Sequence, residues 1–328
     1  MIVVTGGAGF IGSNLVAALE ERGRTELVVC DRLGTDEKWR NIAKRELADL
    51  IEPEDLLEFL NKNASHIEAV FHMGAISATT ERDADLIART NLRLSLELWD
   101  YCTHHGVRFV YASSAATYGD GAAGFEDDQK PEALAKLRPL NAYGWSKHAF
   151  DRRIARLVAS GAKTPLQWAG LKFFNVYGPN ELHKGAMASV VSKTHTRVRA
   201  GEPAVLFRSH DPRYTDGGQL RDFVHVDDCV AQMLWLLDTP GVSGLFNCGS
   251  GRARSFLDLT NAVFAALEKP PHIEWIDTPV EIRAKYQYFT EARMERVRRA
   301  GYTHAATSLE DGVRDYVQRF LEADDSYR

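Results

Sequence analysis

The stretch "VVTGGAGFIGSN" sets Gly6, Gly7, Gly9 and Gly12 directly after a β-branched run and at the head of a helix-periodic segment. Glycines at this spacing let the chain turn tightly and let backbone N–H groups approach an anion at the positive end of a helix. The next run, "SNLVAALEERG", places Leu15, Ala18 and Leu19 on one face, with Ser13 the expected cap and Gly23 the expected stop. "ELVVCDR" then reads as a second strand, and Asp31 near its end can bind ribose hydroxyls. Strand, glycine turn, helix and carboxylate in register predict a dinucleotide site rather than a purely structural turn.

The same rhythm continues through "EAVFHMGA", "RTNLRLSLELWDYCTHHG" and "RFVYASSAA", short apolar runs alternating with helical ones. That pattern belongs to βαβ units around a buried parallel sheet. We expect an α/β protein with a Rossmann-type doubly wound parallel sheet and a smaller, mostly C-terminal α/β substrate lobe. The nucleotide-binding domain is placed at residues 1–175, with a return to the sheet at about 222–250 through "FVHV" and "GLFNCG". Residues 176–221 and 251–328 are assigned to the substrate lobe.

Composition narrows the partners. At 328 residues the chain can bury a large core, and Lys+Arg 40 against Asp+Glu 45 leaves a net charge of -5. That balance argues against a nucleic-acid surface or a polybasic membrane surface, while a small anion needs only a local patch. Cys30, Cys102, Cys229 and Cys248 are scattered, with no metal-binding spacing, so no metal is expected and the thiols read as buried groups of a reducing compartment. No apolar run approaches the ~20 residues of a membrane span. A cytoplasmic protein is expected, and the basic run "MERVRRAG" reads as a solvated helix face.

"NAYGWSKHAFD" holds Tyr143 and Lys147 four positions apart, on one face of a helix. A free phenol, with a pKa of about 10, is a poor base, and an adjacent ammonium favours the phenolate. Upstream, in "YASSAATYG", either Ser113 or Ser114 could donate a hydrogen bond to a substrate oxygen. These groups suit removal of a hydroxyl proton as a hydride leaves the same carbon. The choice of cofactor stays even at this point: Asp31 favours NAD, whereas Arg32 and Lys38 could hold the 2′-phosphate of NADP.

Nucleotide site, serine and Tyr/Lys pair in this order resemble the short-chain dehydrogenase/reductase family. The long second lobe resembles its extended, sugar-nucleotide branch, over essentially the whole chain. In that pattern Ser114 corresponds to the catalytic Ser/Thr. Dehydratases of the branch follow it with an Asp-Glu pair; Ala115 and Ala116 stand here, which argues against elimination of water. More narrowly, "SSAATYG", "FFNVYGPNELHKGAMAS", "GVSGLFNCGSGRARSF" and "KYQYFTEA" are similar to the ADP-L-glycero-D-manno-heptose 6-epimerase family of lipopolysaccharide inner-core synthesis.

That resemblance implies NADP as cofactor, an ADP-heptose substrate inverted at C6'' by transient oxidation and re-reduction, and a homo-oligomer, specifically a homopentamer. It implies Tyr143 and Lys184 as opposed acid/base groups, assisted by Lys147 and Ser114. Cofactor binding would fall to Gly6, Gly9, Phe10, Ile11, Gly12, Asp31, Arg32, Lys38, Met73, Gly74, Ala75, Ile76, Ser77, Asn91, Lys147 and Val176. Substrate binding would fall to Ser77, Ser114, Asn175, Ala186, Lys193, Phe207, Arg208, Ser209, His210, Arg221 and Tyr286. Arg221 has the chemistry to hold a diphosphate bidentately.

The chain departs from the pattern in two places: Met73-Gly74-Ala75 stands where the family often has "EGA", and "FRSHDPRYTDGGQLRD" is longer than in some members. Residue chemistry alone would make Lys184 a diphosphate contact, and it leaves His183 between a ligand and a surface residue. Two other functions stay open: an NAD-dependent UDP-hexose 4-epimerase, which needs no lysine at 184, and a non-catalytic NADP-binding redox sensor, for which both Tyr143 and Lys147 would be superfluous.

Overall fold

The computed structural model describes residues 1–283 and 286–328; Lys285, the first residue of "KYQYFTEA", lies outside the described residues. In chain order the strands are β1 (Ile2–Thr5), β2 (Leu27–Cys30), β3 (Asp49–Ile51), β4 (Ala69–His72), β5 (Arg108–Ser114) and β6 (Trp168–Phe173). There follow β7 (Asn175–Tyr177), β8 (Ala204–Arg208), β9 (Leu220–His225), β10 (Gly244–Cys248), β11 (Ala253–Ser255) and β12 (Ile273–Asp277).

The main sheet has seven strands in the order β10-β6-β5-β4-β1-β2-β3, each paired in parallel with its neighbour. β1, β2, β4, β6 and β10 are buried throughout, which is why they read as continuous apolar runs rather than alternating ones. Trp99, on the helix Leu94–His105, meets Phe109, Phe150 and Trp168 edge-on and fills the layer between that helix and the sheet. Strand order reverses between β1 and β4, and in such sheets a crevice opens at the carboxyl ends there. The glycine turn follows β1, Asp31 follows β2, Met73 to Ser77 follow β4, and Ser114 ends β5, so the fold delivers these separated segments to one edge.

Two local expectations are revised. The helix after the glycine turn runs Phe10–Glu21 and starts at Gly9 without a side-chain cap; Ser13 lies inside it and its hydroxyl donates to the Phe10 carbonyl at 3.2 Å. A capping side chain would occupy the N–H groups that an anion needs, so the helix begins earlier than a cap-based reading places it. Gly23, at φ 76, does end the turn that follows the helix. The second revision concerns the returning segment. Only β10 joins the main sheet; the "FVHV" run lies mostly in β9, which pairs with β7 in parallel and with β11 antiparallel.

A second core gathers Tyr177, Val191, Phe223, Leu259, Val263, Val313 and Tyr316, beside the small parallel pair β8 and β12. Segments do not divide cleanly in sequence: Ala292, Met294, Val297 and Tyr302, from the C-terminal part, pack into the first core. Among the described residues no helix is long and apolar enough to cross a membrane.

A Cβ on Gly12 would overlap the Gly6 carbonyl oxygen, so the glycine turn and helix cannot separate enough for any side chain there. Gly12→Ala is expected to destabilise the fold by about 1–3 kcal/mol, the usual range for overpacking, and to weaken dinucleotide binding, as read by thermal unfolding with and without added NADP.

Candidate active site

One cleft collects the glycine turn, the end of β2, the loop after β4, the ends of β5 and β6 and the loop that carries Lys184. Gly6, Gly9, Phe10, Ile11, Gly12, Asp31, Lys38, Met73, Gly74, Ala75, Ser77, Lys147 and Val176 line it, together with Ser114, Tyr143, His183 and Lys184. The uncapped N–H groups of Phe10–Glu21 face a site built without side chains, and these features fit a nicotinamide dinucleotide. Asp31 accepts from the Ala8 N–H at 2.9 Å and from the Lys38 ammonium at 2.6 Å. Lys38 also donates to the Arg32 carbonyl at 3.0 Å.

Three expected cofactor residues lie off the cleft wall. The Arg32 guanidinium pairs with Glu54 at the surface. Asn91 is buried in a wide, π-helical turn, Ala88–Arg93, and works through the backbone: its amide accepts from the Ile76 N–H and donates to the Ile76 carbonyl, each at 2.9 Å. Ile76 and Asn91 therefore hold the loop after β4 in shape.

Tyr143 and Lys147 sit on the helix Ala142–Ala159, whose start Asn141 caps by accepting from the Gly144 N–H at 2.8 Å. The two serines part company. Ser113 donates to the Asp151 carboxylate at 2.7 Å, whereas the Ser114 oxygen accepts from the Ala116 N–H at 3.1 Å and keeps its own proton free beside Tyr143. Burial pushes the Tyr143 phenol above its ordinary value, and the Ser114 hydroxyl opposes that. Lys147 is 3% exposed, and burial lowers it to about 8, with Asp151 opposing. Sequence reasoning looks to the ammonium to favour phenolate; in the folded chain, desolvation is the larger influence on the tyrosine.

The lysine loop lines the same cleft. Lys184 lies with its ammonium 5.1 Å from the Phe10 ring centre, on the same cleft as Tyr143. Burial holds it below the ordinary lysine value; Glu181 opposes and Lys193 adds to the lowering. His183 joins the cleft wall too, with its Nδ1 3.1 Å from the Asn41 amide nitrogen. Asn41 in turn donates to the Ala8 carbonyl at 2.8 Å, which links the lysine loop to the glycine turn. Glu181 escapes sequence reasoning; its one signal is a carboxylate three residues before the lysine in a loop otherwise poor in charge.

Ser114, Tyr143, Phe173 and Phe174 continue into an adjoining hollow lined by Thr79, Leu140, Asn175, Tyr286 and Gln287. Behind Tyr286 stands an aromatic and cationic cluster. The Arg221 guanidinium is 5.6 Å from the ring centres of both Tyr286 and Phe256, and Phe207 meets Tyr286 edge-on at 6.3 Å. The His210 N–H donates to the Tyr288 hydroxyl at 2.9 Å, and Ser209 donates to the Asp211 carbonyl at 2.7 Å. Arg221 already donates to the Leu220 and Gln287 carbonyls, so part of its fork is engaged. Arg208 is exposed and pairs with Asp216 at 3.2 Å; Ala186 and Lys193 are exposed as well and line neither hollow.

Residues 2–249 match the NAD dependent epimerase/dehydratase family. A relative from Nitratidesulfovibrio vulgaris (strain DP4), named ADP-L-glycero-D-manno-heptose-6-epimerase, is 49% identical over 329 residues, covering 100% of both chains. The solved structure of Helicobacter pylori ADP-L-glycero-D-manno-heptose-6-epimerase is similar at a TM-score of 0.75 and 27% identity, covering 97% of this chain and 95% of that one. Thermus thermophilus UDP-glucose 4-epimerase, solved in complex with NAD, is also similar at 0.75 and 27%, covering 98% and 99%. Fold likeness by itself therefore spans more than one sugar nucleotide.

Because Lys147 holds its proton only below about 8, kcat/KM for the substrate is expected to fall as pH rises through that value. A pH profile of kcat/KM checks this, and a profile flat through that region would contradict it.

Proposed function

The chain belongs to the NAD dependent epimerase/dehydratase family, and within it we propose that it is an NADP-dependent enzyme that inverts C6'' of ADP-D-glycero-D-manno-heptose to give the L-glycero form. The product would serve lipopolysaccharide inner-core synthesis in the cytoplasm, and the enzyme would work as a homo-oligomer, as the pentameric pattern of the resembling family suggests. The observation that carries this reading is the meeting of Tyr143 and Lys184 on one cleft, in a chain alike over its full length to relatives of that name.

When bound, the cofactor supplies a reversible hydride acceptor, so that it ends as it began. The chain's own groups do the proton work. Inversion of a secondary alcohol presents its oxygen in two orientations, and one rigid phenol suits only one of them. Tyr143 would exchange the proton in the first orientation and Lys184 in the second, each with an ordinary pKa displaced by burial. The free Ser114 proton would hold the reacting oxygen, and Lys147 would support the tyrosine from one helical turn away. Asn175, Tyr286 and Arg221 would bind the sugar nucleotide, with Phe207, Ser209 and His210 behind them.

For the cofactor, Lys38 partly neutralises Asp31, and the Arg32 guanidinium stands exposed beside it. A 2′-phosphate would gain Lys38 on the cleft wall and Arg32 once that side chain turned from Glu54, which supports NADP over NAD. Mass spectrometry of the nicotinamide that copurifies with the protein is expected to find NADP; NAD alone would overturn this part.

Supplied with ADP-D-glycero-D-manno-heptose, the protein is expected to invert C6'' without net release of reduced cofactor. Tyr143→Phe and Lys184→Ala should each lower kcat by about 10²-fold or more, the usual worth of a general acid or base, while retaining bound cofactor. Rapid interconversion of UDP-glucose and UDP-galactose, with turnover surviving Lys184→Ala, would replace this reading with a 4-epimerase. Bound nicotinamide without turnover of either sugar nucleotide would favour the redox-sensor alternative.

A further inference from the structure

The loop that carries Lys184 starts and ends on one buried carboxylate. Glu181 is 0% exposed, and it accepts from the Ser189 N–H at 2.7 Å and from the Ser189 hydroxyl at 2.6 Å. Its own carbonyl accepts from the Lys184 N–H at 3.0 Å. Residues 182–188 thus form a turn closed at the neck by a single side chain, with Gly185 at φ 51 reversing the tip.

The neck is fastened on both sides. Asn180 donates to the Ser13 hydroxyl at 3.0 Å, and Asn14 donates to the Pro179 carbonyl at 2.9 Å, which ties the loop to the helix Phe10–Glu21. Ser189 caps the helix Val190–Arg199, so the Glu181 carboxylate sits at that helix's positive end. Among the described residues it makes no ion pair within 4.0 Å. Burial raises the Glu181 carboxyl above its ordinary value, while the Ser189 donors and the Lys184 ammonium oppose that and favour the charged form.

We propose that Glu181 is the positioning residue for Lys184: it closes the loop so that the ammonium faces the cleft shared with Tyr143, and it supplies the negative charge that the ammonium senses. This rests on the reading of Lys184 as the second acid/base group. The charged and titratable groups around Lys184 are Glu181 and His183 on its own loop, Lys193 from Val190–Arg199, and Tyr143, Lys147, Asp31 and Lys38 on the same cleft, with Asp36 beyond His183 and Tyr316 beside Glu181. Phe10 contributes a ring face alone. Removing the negative charge takes away the carboxylate that favours the Lys184 ammonium, and its proton should leave at lower pH.

The test uses Glu181→Gln, which keeps an acceptor for Ser189 and deletes the charge. Epimerase kcat on ADP-D-glycero-D-manno-heptose should fall roughly 10- to 100-fold, as for a slightly misplaced acid/base group, with KM and bound cofactor retained. The pH at which Lys184 becomes reactive to an amine-modifying reagent, followed by peptide mass spectrometry, should move down. In a Lys184→Ala background the same substitution should cost nothing further, within about 2-fold. Wild-type kcat and an unmoved labelling pH in Glu181→Gln, or a loss that persists undiminished in the Lys184→Ala background, would overturn the proposal.

The two ideas fail differently. Inactivity of Lys184→Ala beside full activity of Glu181→Gln sinks the positioning role alone, whereas full turnover in Lys184→Ala sinks both. Should Glu181→Gln fail to fold, Ser189→Ala opens the same neck from its other side with the charge kept: kcat should fall with no further loss in the Lys184→Ala background, and an unchanged kcat or an undiminished loss in that background would overturn the positioning role.

Discussion

Backbone touches backbone where β1 and β4 end, and the cleft exists because of it. A Cβ on Gly6, at φ 65, would stand 2.5 Å from the Gly74 nitrogen, so the turn after β1 can lie against the loop after β4 only with glycine at position 6. Beneath them runs a polar relay. Thr5 accepts from the Gly74 N–H at 3.2 Å and meets His72 Nδ1 at 2.7 Å; His72 Nε2 reaches Ser95 at 2.9 Å; Ser95 donates to the Asn91 carbonyl at 2.6 Å. Burial lowers His72 to about 3, so the relay is built from neutral groups. Its far end, the Asn91 amide, clamps Ile76 and with it the loop that lines the cleft.

A second constraint ties the reacting side chains to the sheet. Asp151 and Lys172 form an ion pair at 2.7 Å with both side chains fully buried. Asp151 also accepts from Tyr111 at 3.0 Å and Ser113 at 2.7 Å, and Lys172 donates to Thr117 at 2.7 Å. β5, β6 and the Tyr143 helix are thereby locked in register. Such a pair adds little net stability over an apolar core, but losing one partner would leave a buried charge, which costs about 3–5 kcal/mol. The position of Ser114 against Tyr143 is a consequence of that lock.

Much of this is legible along the chain. The parallel sheet follows from buried apolar runs, the nucleotide turn from glycine spacing, and the Tyr143 and Lys147 pair from helical repeat. Errors arise where one pattern has two physical causes. Ser13 reads as a cap because serine commonly is one, yet the helix begins at Gly9 to leave its N–H groups open. "FVHV" reads as a core strand because it is apolar, yet an apolar strand serves equally well in the small sheet with β7 and β11. Asn91, expected at the cofactor, is found holding Ile76 and with it the loop that lines the cleft.

The sheet, the glycine turn, the carboxylate after β2 and the helical Tyr/Lys pair are all dictated by the order of residues, because each is written in relations between near neighbours in the chain. Both Ser113 and Ser114 line the cleft, and folding had to settle which hydroxyl is engaged: Asp151 claims that of Ser113. It also brings Lys184 and His183 to the cleft that Tyr143 lines, and it buries Glu181 at the neck of their loop. Those outcomes depend on residues far apart in sequence, such as Asn180 on Ser13 and Asn41 on Ala8, and no local spacing encodes such meetings.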